Sequence, residues 1–325
     1  MLTIMFATVC RRFAVSSTAA LLLLIAAEPR AEEASDQPGE TATVAPTCTA
    51  AATIVSEDPA ALVELCRAQA EAGDVQAQYA LGVSYYVGVG APLDYVEAAR
   101  WYRRAAEQGF VEAQVRMGAM YLMGRGVERD FTQAADWYKR AAEQGDVEAQ
   151  NALGGLYLTG TGVAEDAREA ARWYRLAAEQ GDPEAQYFMG AFFYDGNGVA
   201  QDYEQAWRWF RLSADQGDLE ARFMLGRLYE DGDGVPASAA KAARWFRDAA
   251  EQGHPRAQAA LGTLLAHDRD DLPADRAEAY LWLSLAAAQG VDGAAAEREA
   301  LLLAMTPEEL SAGEGRLAAW LGADE

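Results

Sequence analysis

The sequence is poor in positive charge, histidine and cysteine, and it lacks a long apolar run. Its 27 lysines and arginines face 50 acidic residues, giving a formal net charge of −23 and a pI of about 4.4. Nucleic-acid binding requires basic surface that displaces counterions from phosphates, so that class of function is disfavoured. Adsorption to anionic lipid is disfavoured for the same reason. A basic or apolar partner suits this surface better.

The scarcity of histidine and cysteine argues against a metal site. His254 and His267 are the only histidines, and no cysteine lies near either in the sequence. No grouping of serine, histidine and acid stands out, and the Gly-x-Gly segments lack the third glycine of a dinucleotide site. We therefore expect no metal, no cofactor and no enzymatic activity.

The one apolar run, residues 13–27, follows two arginines and precedes small and then acidic residues. It is about 15 residues long, too short for a comfortable membrane span, and the layout is that of a secretory signal. We predict a signal at residues 1–27 and a periplasmic or secreted protein. An uncleaved anchor in the inner membrane, formed by residues 13–27, is the alternative. Residues 28–57 have no sustained period and read as a flexible linker.

Export changes the interpretation of Cys48 and Cys66, the two cysteines beyond the predicted signal. In an oxidising envelope two such cysteines can pair, and closing this loop stabilises by about 3 kcal/mol in the chain-entropy model. A disulfide would attach the N-terminal segment to the first helix of the array. Two free thiols remain the alternative, because sequence alone does not place the sulfurs together.

One eight-residue phrase recurs through the chain at a fixed period. Residues 141–148 read Ala-Ala-Glu-Gln-Gly-Asp-Val-Glu, and the phrase returns with a spacing of 36 residues five times and 37 once. A strict period in this range indicates a solenoid of stacked helical units. Such arrays usually present a surface to a partner, which makes an enzyme the less favoured interpretation.

The period divides residues 58–325 into an N-terminal helix, six full repeats and a C-terminal cap. The boundaries are 58–73, 74–109, 110–145, 146–181, 182–217, 218–253, 254–290 and 291–325. Each repeat holds two helical patterns, the first with a central glycine and the second with a stripe of tryptophan and alanine. A glycine in mid-helix costs about 1 kcal/mol against alanine, so we expect another backbone to lie too close for a Cβ. The predicted fold is an all-α solenoid, a superhelix of six helix-turn-helix repeats with terminal capping helices.

The turn between the two helices carries its own signals. A Gly-x-Gly segment allows the first helix to end in a left-handed turn, and an aspartate with Glu or Gln three residues later predicts a capping box. Asp94 and Glu97 are the first such pair. Ser238 takes this position in the fifth repeat. With Lys241 it matches the S-x-x-K spacing of β-lactamases, but no K-T-G follows, so Ser238 is more simply a helix cap.

These residues resemble the Sel-one-like repeat family, a branch of the tetratricopeptide-type helical solenoids. The pattern A-x-A-Q-x-x-L-G-x-x-Y-x-x-G-x-G-V-x-x-D-x-x-x-A-x-x-W-Y-x-x-A-A-E-Q-G matches the first four repeats almost position by position. The fifth repeat departs at Arg222 and Ser238, and the sixth lacks the Gly-x-Gly segment. The resemblance implies a scaffold or adaptor, often exported in bacteria. One cysteine-rich secreted subgroup is linked to β-lactam binding or hydrolysis.

We therefore predict an exported, non-catalytic bacterial adaptor or scaffold that binds a protein or peptide in envelope assembly or signalling. A β-lactam-binding or hydrolysing enzyme and a polysaccharide-export scaffold are the alternatives.

Positions that vary between repeats are free for binding. In the first helix they lie three before, one after and four after the central glycine, and in tetratricopeptide-type arrays this stripe lines the concave groove. Aromatic residues there are typical interface anchors. The alternative is that the residues three before the glycine pack between neighbouring first helices and complete the core. The predicted partner-binding residues are Tyr79, Val83, Tyr86, Val115, Leu122, Asn151, Leu158, Tyr187, Tyr194, Phe223, Arg227 and Glu230.

Overall fold

The computed structural model describes residues 48–50 and 56–322, so the predicted signal and most of the predicted linker lie outside the described residues. Within residues 56–322 the chain forms fifteen helices and no strand. They are α1 (Pro59–Glu71), α2 (Val75–Val87), α3 (Tyr95–Glu107), α4 (Val111–Met123), α5 (Phe131–Glu143), α6 (Val147–Thr159), α7 (Ala167–Glu179), α8 (Pro183–Asp195), α9 (Tyr203–Asp215), α10 (Leu219–Asp231), α11 (Ala239–Ala250), α12 (Pro255–Leu265), α13 (Arg276–Ala288), α14 (Ala294–Ala304) and α15 (Pro307–Gly322).

The chain divides into two compact units, one up to Glu165 and one from Asp166. Unit 1 contains α1–α6 and unit 2 contains α7–α15. Within each unit, α1 to α6 and α7 to α14 follow one rule: each helix packs against the helices before and after it in the chain. The first helices of the repeats are α2, α4 and α6 in unit 1 and α8, α10 and α12 in unit 2.

Helix ends follow the predicted turn signals. The Asp94 carboxylate accepts hydrogen bonds from the backbone amides two and three residues later, at 2.9 and 3.1 Å, and a cap of this kind is worth about 1 kcal/mol. The first helices of the first five repeats, α2, α4, α6, α8 and α10, each end at a glycine in the left-handed region, such as Gly124 with φ +68°.

The predicted capping boxes form only in part. In the described chain, both halves of a box are present only where Thr306 and Glu309 open α15, at 2.8 and 3.2 Å. Glu97 instead pairs with Arg100 one turn later, at 3.3 Å. Glu169 pairs with Arg172 in the same way, at 3.1 Å, so the aspartate caps start these two helices without the second half of the box.

Four of the central glycines are required by aromatic rings and not, as we expected, by a neighbouring backbone: Gly82, Gly118, Gly190 and Gly226. A Cβ on Gly118 would lie 2.9 Å from two ring carbons of Tyr138, which is fully buried in the paired second helix. In unit 2, Gly190 and Gly226 accept phenylalanine rings in the same way, whereas Gly262 lies against Leu283 and the backbone carbonyl of Ala279. The close backbone approach occurs instead at the loop glycines, where Gly162 lies against the carbonyl of Phe131 in the preceding repeat.

The core consists of alanines, of Leu and Met side chains of the first helices such as Leu81 and Met117, and of the side chain that follows each repeated tryptophan, which is a ring except at Leu283. The tryptophans themselves are only partly equivalent. Trp101 and Trp137 in unit 1 and Trp173 and Trp282 in unit 2 are buried, whereas the others of the series are half-buried. Small alanine side chains let the helices of each pair approach closely around these rings.

Buried glutamines link consecutive repeats within each unit, a feature that the sequence pattern did not reveal. Gln114 donates a hydrogen bond to the carbonyl of Ala106 at 3.1 Å and accepts one from Gln144 at 2.8 Å. These bonds satisfy carbonyls at the end of a second helix. In the fifth repeat Arg222 takes the place of the glutamine and donates to Ala214 at 3.2 Å.

The C-terminal cap closes the end of unit 2. The last helix, α15, packs directly on α13, with the Trp320 ring edge-on to Trp282 at 5.1 Å and Arg316 paired with Asp275 at 3.0 Å. The preceding helix α14 also packs on α13 but leaves Leu303 91% exposed. The cap therefore covers α13 and does not form a seventh repeat.

Candidate interaction surface

The predicted stripe lies on the first helices of both units, and its three positions differ in burial. We use the term first-helix stripe for the twelve residues named in the sequence analysis. Val115 is 3% exposed and Phe223 is 5% exposed, and the other ten are half-buried. A residue buried within its own chain is not available to a partner. Val115 and Phe223 therefore leave the proposed contact surface, which corrects the assignment made from the repeat pattern.

The position three before the central glycine belongs largely to the core. In unit 1 the Tyr79 ring lies 5.6 Å from Tyr102 and 5.1 Å from Phe110. In unit 2 the Tyr187 ring lies 5.7 Å from the buried Phe210, and burial raises the pKa of its hydroxyl. These rings help to complete the core, as in the alternative interpretation, but they do so beside second-helix aromatics, whereas that interpretation placed them between neighbouring first helices.

The positions one and four after the glycine face outward. In unit 1 the half-buried residues at these positions include Val83, Tyr86, Leu122 and Leu158. Tyr86 lies edge-on to Tyr95 at 5.2 Å. These side chains present apolar surface that no other element of unit 1 fully covers, which is the property expected of interface anchors.

The corresponding surface of unit 2 is acidic. Tyr194 lies edge-on to Tyr203 at 5.3 Å. Arg227 pairs with Asp231 at 3.0 Å and approaches Glu230 at 3.8 Å. Burial raises the pKa of the Glu230 carboxyl, and Arg227 partly opposes this shift. Burial also raises the pKa of the Tyr194 hydroxyl, Arg227 lowers it, and neighbouring aspartates raise it.

Two arginines that the sequence analysis did not select lie beside the stripe in unit 1. Arg125, in the loop after α4, donates to the Tyr86 hydroxyl at 2.6 Å. Arg116, on α4, lies near the Tyr79 hydroxyl, which helps to raise the pKa of its guanidinium. Arg116 stands where the other repeats have alanine, phenylalanine or methionine, and this departure was the available signal.

The S-x-x-K motif forms a structural cap. Ser238 accepts a hydrogen bond from the backbone amide of Lys241 at 3.2 Å and donates its hydroxyl to Asp271 at 2.6 Å. The Asp271 carboxylate also accepts from the amides of Ala239 and Ala240, and these hydrogen bonds, that to Ser238 first, lower its pKa. The ammonium of Lys241 lies 5.2 Å from the centre of a tyrosine ring rather than at the serine. The motif therefore starts α11 and does not activate a nucleophile.

His254 also caps a helix, α12, and is not solvated. It is 7% exposed, and its Nδ1 accepts from the backbone amide of Ala257 at 3.0 Å. Its Nε2 lies 3.1 Å from Glu220, whose carboxyl has a lowered pKa because of this hydrogen bond. Both ring nitrogens are thus engaged by the protein.

Cys48 and Cys66 form a disulfide in the structure, with their Cα atoms 5.3 Å apart. Cys66 lies on α1 and is fully buried, and Cys48 is 5% exposed. The described residues contain no cluster of three potential metal ligands. They also contain no helix whose length and hydropathy would allow it to cross a bilayer.

The paired helices, recurring glycines and aspartate caps define an all-α solenoid of helical repeats, as predicted. The Sel1 repeat family matches residues 75–110, 111–146, 147–182, 183–218, 219–254 and 255–291. The chain belongs to this family.

Two solved structures are similar over much of the chain. A protective antigen of uropathogenic Escherichia coli with an SLR fold is 35% identical, with a TM-score of 0.76, over 85% of this chain and 60% of that one. The present chain thus spans less than two thirds of that protein. A Sel1 repeat protein from Oxalobacter formigenes is 31% identical, with a TM-score of 0.63, over 70% of this chain and 93% of that one. No curated protein matches the chain.

Proposed function

We propose that this protein is an exported, non-catalytic scaffold that binds a protein partner through the outward positions of its first-helix stripe. Membership of the Sel1 repeat family is consistent with a protein-interaction scaffold. The export follows from the signal-like layout of residues 1–27. A role in assembly or signalling of the cell envelope would suit both the scaffold role and the export.

The observation that carries the proposal is the row of half-buried side chains four residues after the central glycines. Unit 1 contributes Tyr86, Leu122 and Leu158, and unit 2 contributes Tyr194. The alanines and aromatic rings at scaffold positions stay nearly constant between repeats, whereas this row varies in identity and stays partly accessible in the first five repeats. Variable apolar side chains on a rigid array are typical of a surface selected for contact.

Site-specific photo-crosslinking in the native cell tests the proposal. A photoreactive phenylalanine is placed at Leu122 or Tyr194, and at Leu212 as the matched control. Leu212 is 48% exposed and apolar but lies on the second helix α9. We expect a discrete crosslinked product from the two stripe positions and none from Leu212. Equal crosslinking from both kinds of position, or none from the stripe, would contradict the proposal.

Truncation of one stripe residue gives a quantitative test of the proposal. Truncating a central interface side chain commonly costs about 2 kcal/mol, which is about thirtyfold in affinity. Leu122→Ala should therefore lower the affinity for the crosslinked partner about thirtyfold, while Leu212→Ala should leave that affinity unchanged.

A further inference from the structure

The chain contains two similar pairs of tyrosines that differ in the charged residues around them. Tyr79 and Tyr86 on α2, and Tyr187 and Tyr194 on α8, occupy the same two positions of their repeats. Seven residues separate the members of a pair, about 10 Å along the helix axis. The pairs therefore offer aromatic contacts of the same spacing, and the surrounding charges distinguish them.

In unit 1 an arginine lies near the hydroxyl of each tyrosine. Arg125 donates a hydrogen bond to the Tyr86 hydroxyl at 2.6 Å, and Arg116 lies near Tyr79. The centre of the buried Tyr102 ring lies 5.6 Å from that of Tyr79 and 6.4 Å from that of Tyr86, so both tyrosine rings pack near the same buried ring. The result is an apolar strip with one guanidinium near each end.

Neither arginine has a carboxylate partner within 4.0 Å in the described chain. Burial lowers the pKa of Arg116, but Tyr79 and the more distant Glu148 raise it by more, so the guanidinium stays charged. Arg125 is exposed and lies 5.8 Å from the centre of the Tyr95 ring, and its bond to the Tyr86 hydroxyl leaves most of its five N–H donors unused. A guanidinium binds a carboxylate through two parallel hydrogen bonds, which is the strongest contact available to it.

The equivalent positions of unit 2 carry no cation. Met224 replaces Arg116 and Asp233 replaces Arg125. Asp233 and Asp231 both act on the hydroxyl of Tyr194 and raise its pKa, after the larger effect of burial. Arg227 and Arg256 also act on Tyr194 and Tyr187, but each is paired with a carboxylate, Arg227 with Asp231 at 3.0 Å and Arg256 with Glu220 at 3.6 Å. Of the two tyrosine pairs, the one in unit 1 is therefore the pair whose arginines have no carboxylate within 4.0 Å, in a protein whose net charge is −23.

From this contrast we infer that the stripe of unit 1 binds an acidic segment of the protein partner, whose carboxylates contact Arg116 and Arg125. The apolar side chains of that segment lie on Val83 and Leu122, between the two guanidinium groups. The inference rests on the proposed function, because it names the chemistry of the partner at the same surface.

Selection of a random peptide library displayed on phage, with the purified full chain as bait, tests this charge preference. Selected peptides should be enriched in Asp and Glu and should bind more weakly as salt concentration rises. Arg125→Gln should weaken their binding at least tenfold. Because Arg125 is exposed, this variant keeps the fold even if Arg116→Gln does not. Arg116→Lys should retain more binding than Arg116→Gln.

Arg103→Gln is the matched control. Arg103 is also exposed and also donates to a tyrosine hydroxyl, that of Tyr121 at 2.8 Å, but it lies on the second helix α3. Its variant should bind the selected peptides as the native chain does. Peptides without acidic residues, unaltered binding to Arg125→Gln, or a selection that yields no peptide would overturn the inference. Peptides sensitive to Leu122→Ala but not to Arg125→Gln would leave the proposed function standing, and insensitivity to both would contradict both.

Discussion

Replacing Gly190 with alanine tests how tightly the second helices pack against the first. An ideal Cβ on Gly190 lies 2.6 Å from Cε1 of Phe210, a ring that is fully buried. Carbon atoms in van der Waals contact are about 3.5–4.0 Å apart, so the ring must move by roughly 1 Å. Overpacking of this kind costs about 1–3 kcal/mol.

The helix itself gains about 1 kcal/mol from the same substitution, because alanine is the better helix former. The overlap should outweigh this gain, leaving unit 2 less stable by up to about 2 kcal/mol. Urea unfolding followed by circular dichroism measures the change, and an unchanged m-value shows that the denatured state is comparable.

Two further variants separate overlap from helix propensity. Gly315, on α15, has no atom within 4 Å of an ideal Cβ, so Gly315→Ala should stabilise by up to about 1 kcal/mol. Phe210→Ala alone should cost about 3–5 kcal/mol, and in its presence Gly190→Ala should no longer destabilise. If Gly190→Ala stabilises the native chain as Gly315→Ala does, the ring does not occupy the glycine position and the packing described here is wrong.

Three more predictions follow from the caps and the N-terminal region. Asp271→Ala should lower the stability of unit 2 at pH 7. Because the folded pKa of Asp271 is lowered, the stability difference between the native chain and the variant should shrink as pH falls below the unfolded pKa of about 3.9. A stability difference at pH 3 as large as that at pH 7 would contradict the cap. Mass spectrometry of the unreduced protein should yield a linked peptide pair containing Cys48 and Cys66, and two alkylatable thiols would disprove it. N-terminal sequencing of the native protein should show that residues 1–27 are removed, whereas an intact Met1 would refute the signal.

The repeat period predicted much of the fold because each signal acts over a few residues. The aspartate caps and left-handed glycines depend only on local backbone geometry, so Asp94 and Gly124 could be assigned from the sequence. The same reasoning failed for Glu97, since its choice between the backbone and Arg100 depends on side-chain geometry. It also failed for Asp271, which reaches the start of α11 from a loop 33 residues beyond Ser238.

The candidate site was harder to predict, because variation between repeats does not distinguish surface from core. Phe223 differs from its equivalents yet lies 5.7 Å from the Phe246 ring and is buried. A core position tolerates different side chains when the total volume is conserved. Arg116 was missed for a different reason. A single charged residue at a position that is apolar in the other repeats indicates no function by itself, and its neighbour Tyr79 is known only from the structure.

These burial differences also decide which tyrosine reports on binding. Tyr187 packs against the buried Phe210, so its truncation would disturb the fold as well as the surface. Tyr194 has its ring contact with the half-buried Tyr203 and is the cleaner choice. Trp173, 4% exposed in the core of unit 2, is the matching scaffold position.

The most direct test of the central claim is a paired measurement of partner affinity and melting temperature for Tyr194→Ala and Trp173→Ala. The partner is the protein captured by crosslinking from the stripe. Tyr194→Ala should weaken its binding about thirtyfold with little change in melting temperature. Trp173→Ala should lower the stability of unit 2 by about 3–5 kcal/mol and melt it early. If Tyr194→Ala instead unfolds as readily as Trp173→Ala, or binds the partner as the native chain does, the first-helix stripe is not the binding surface.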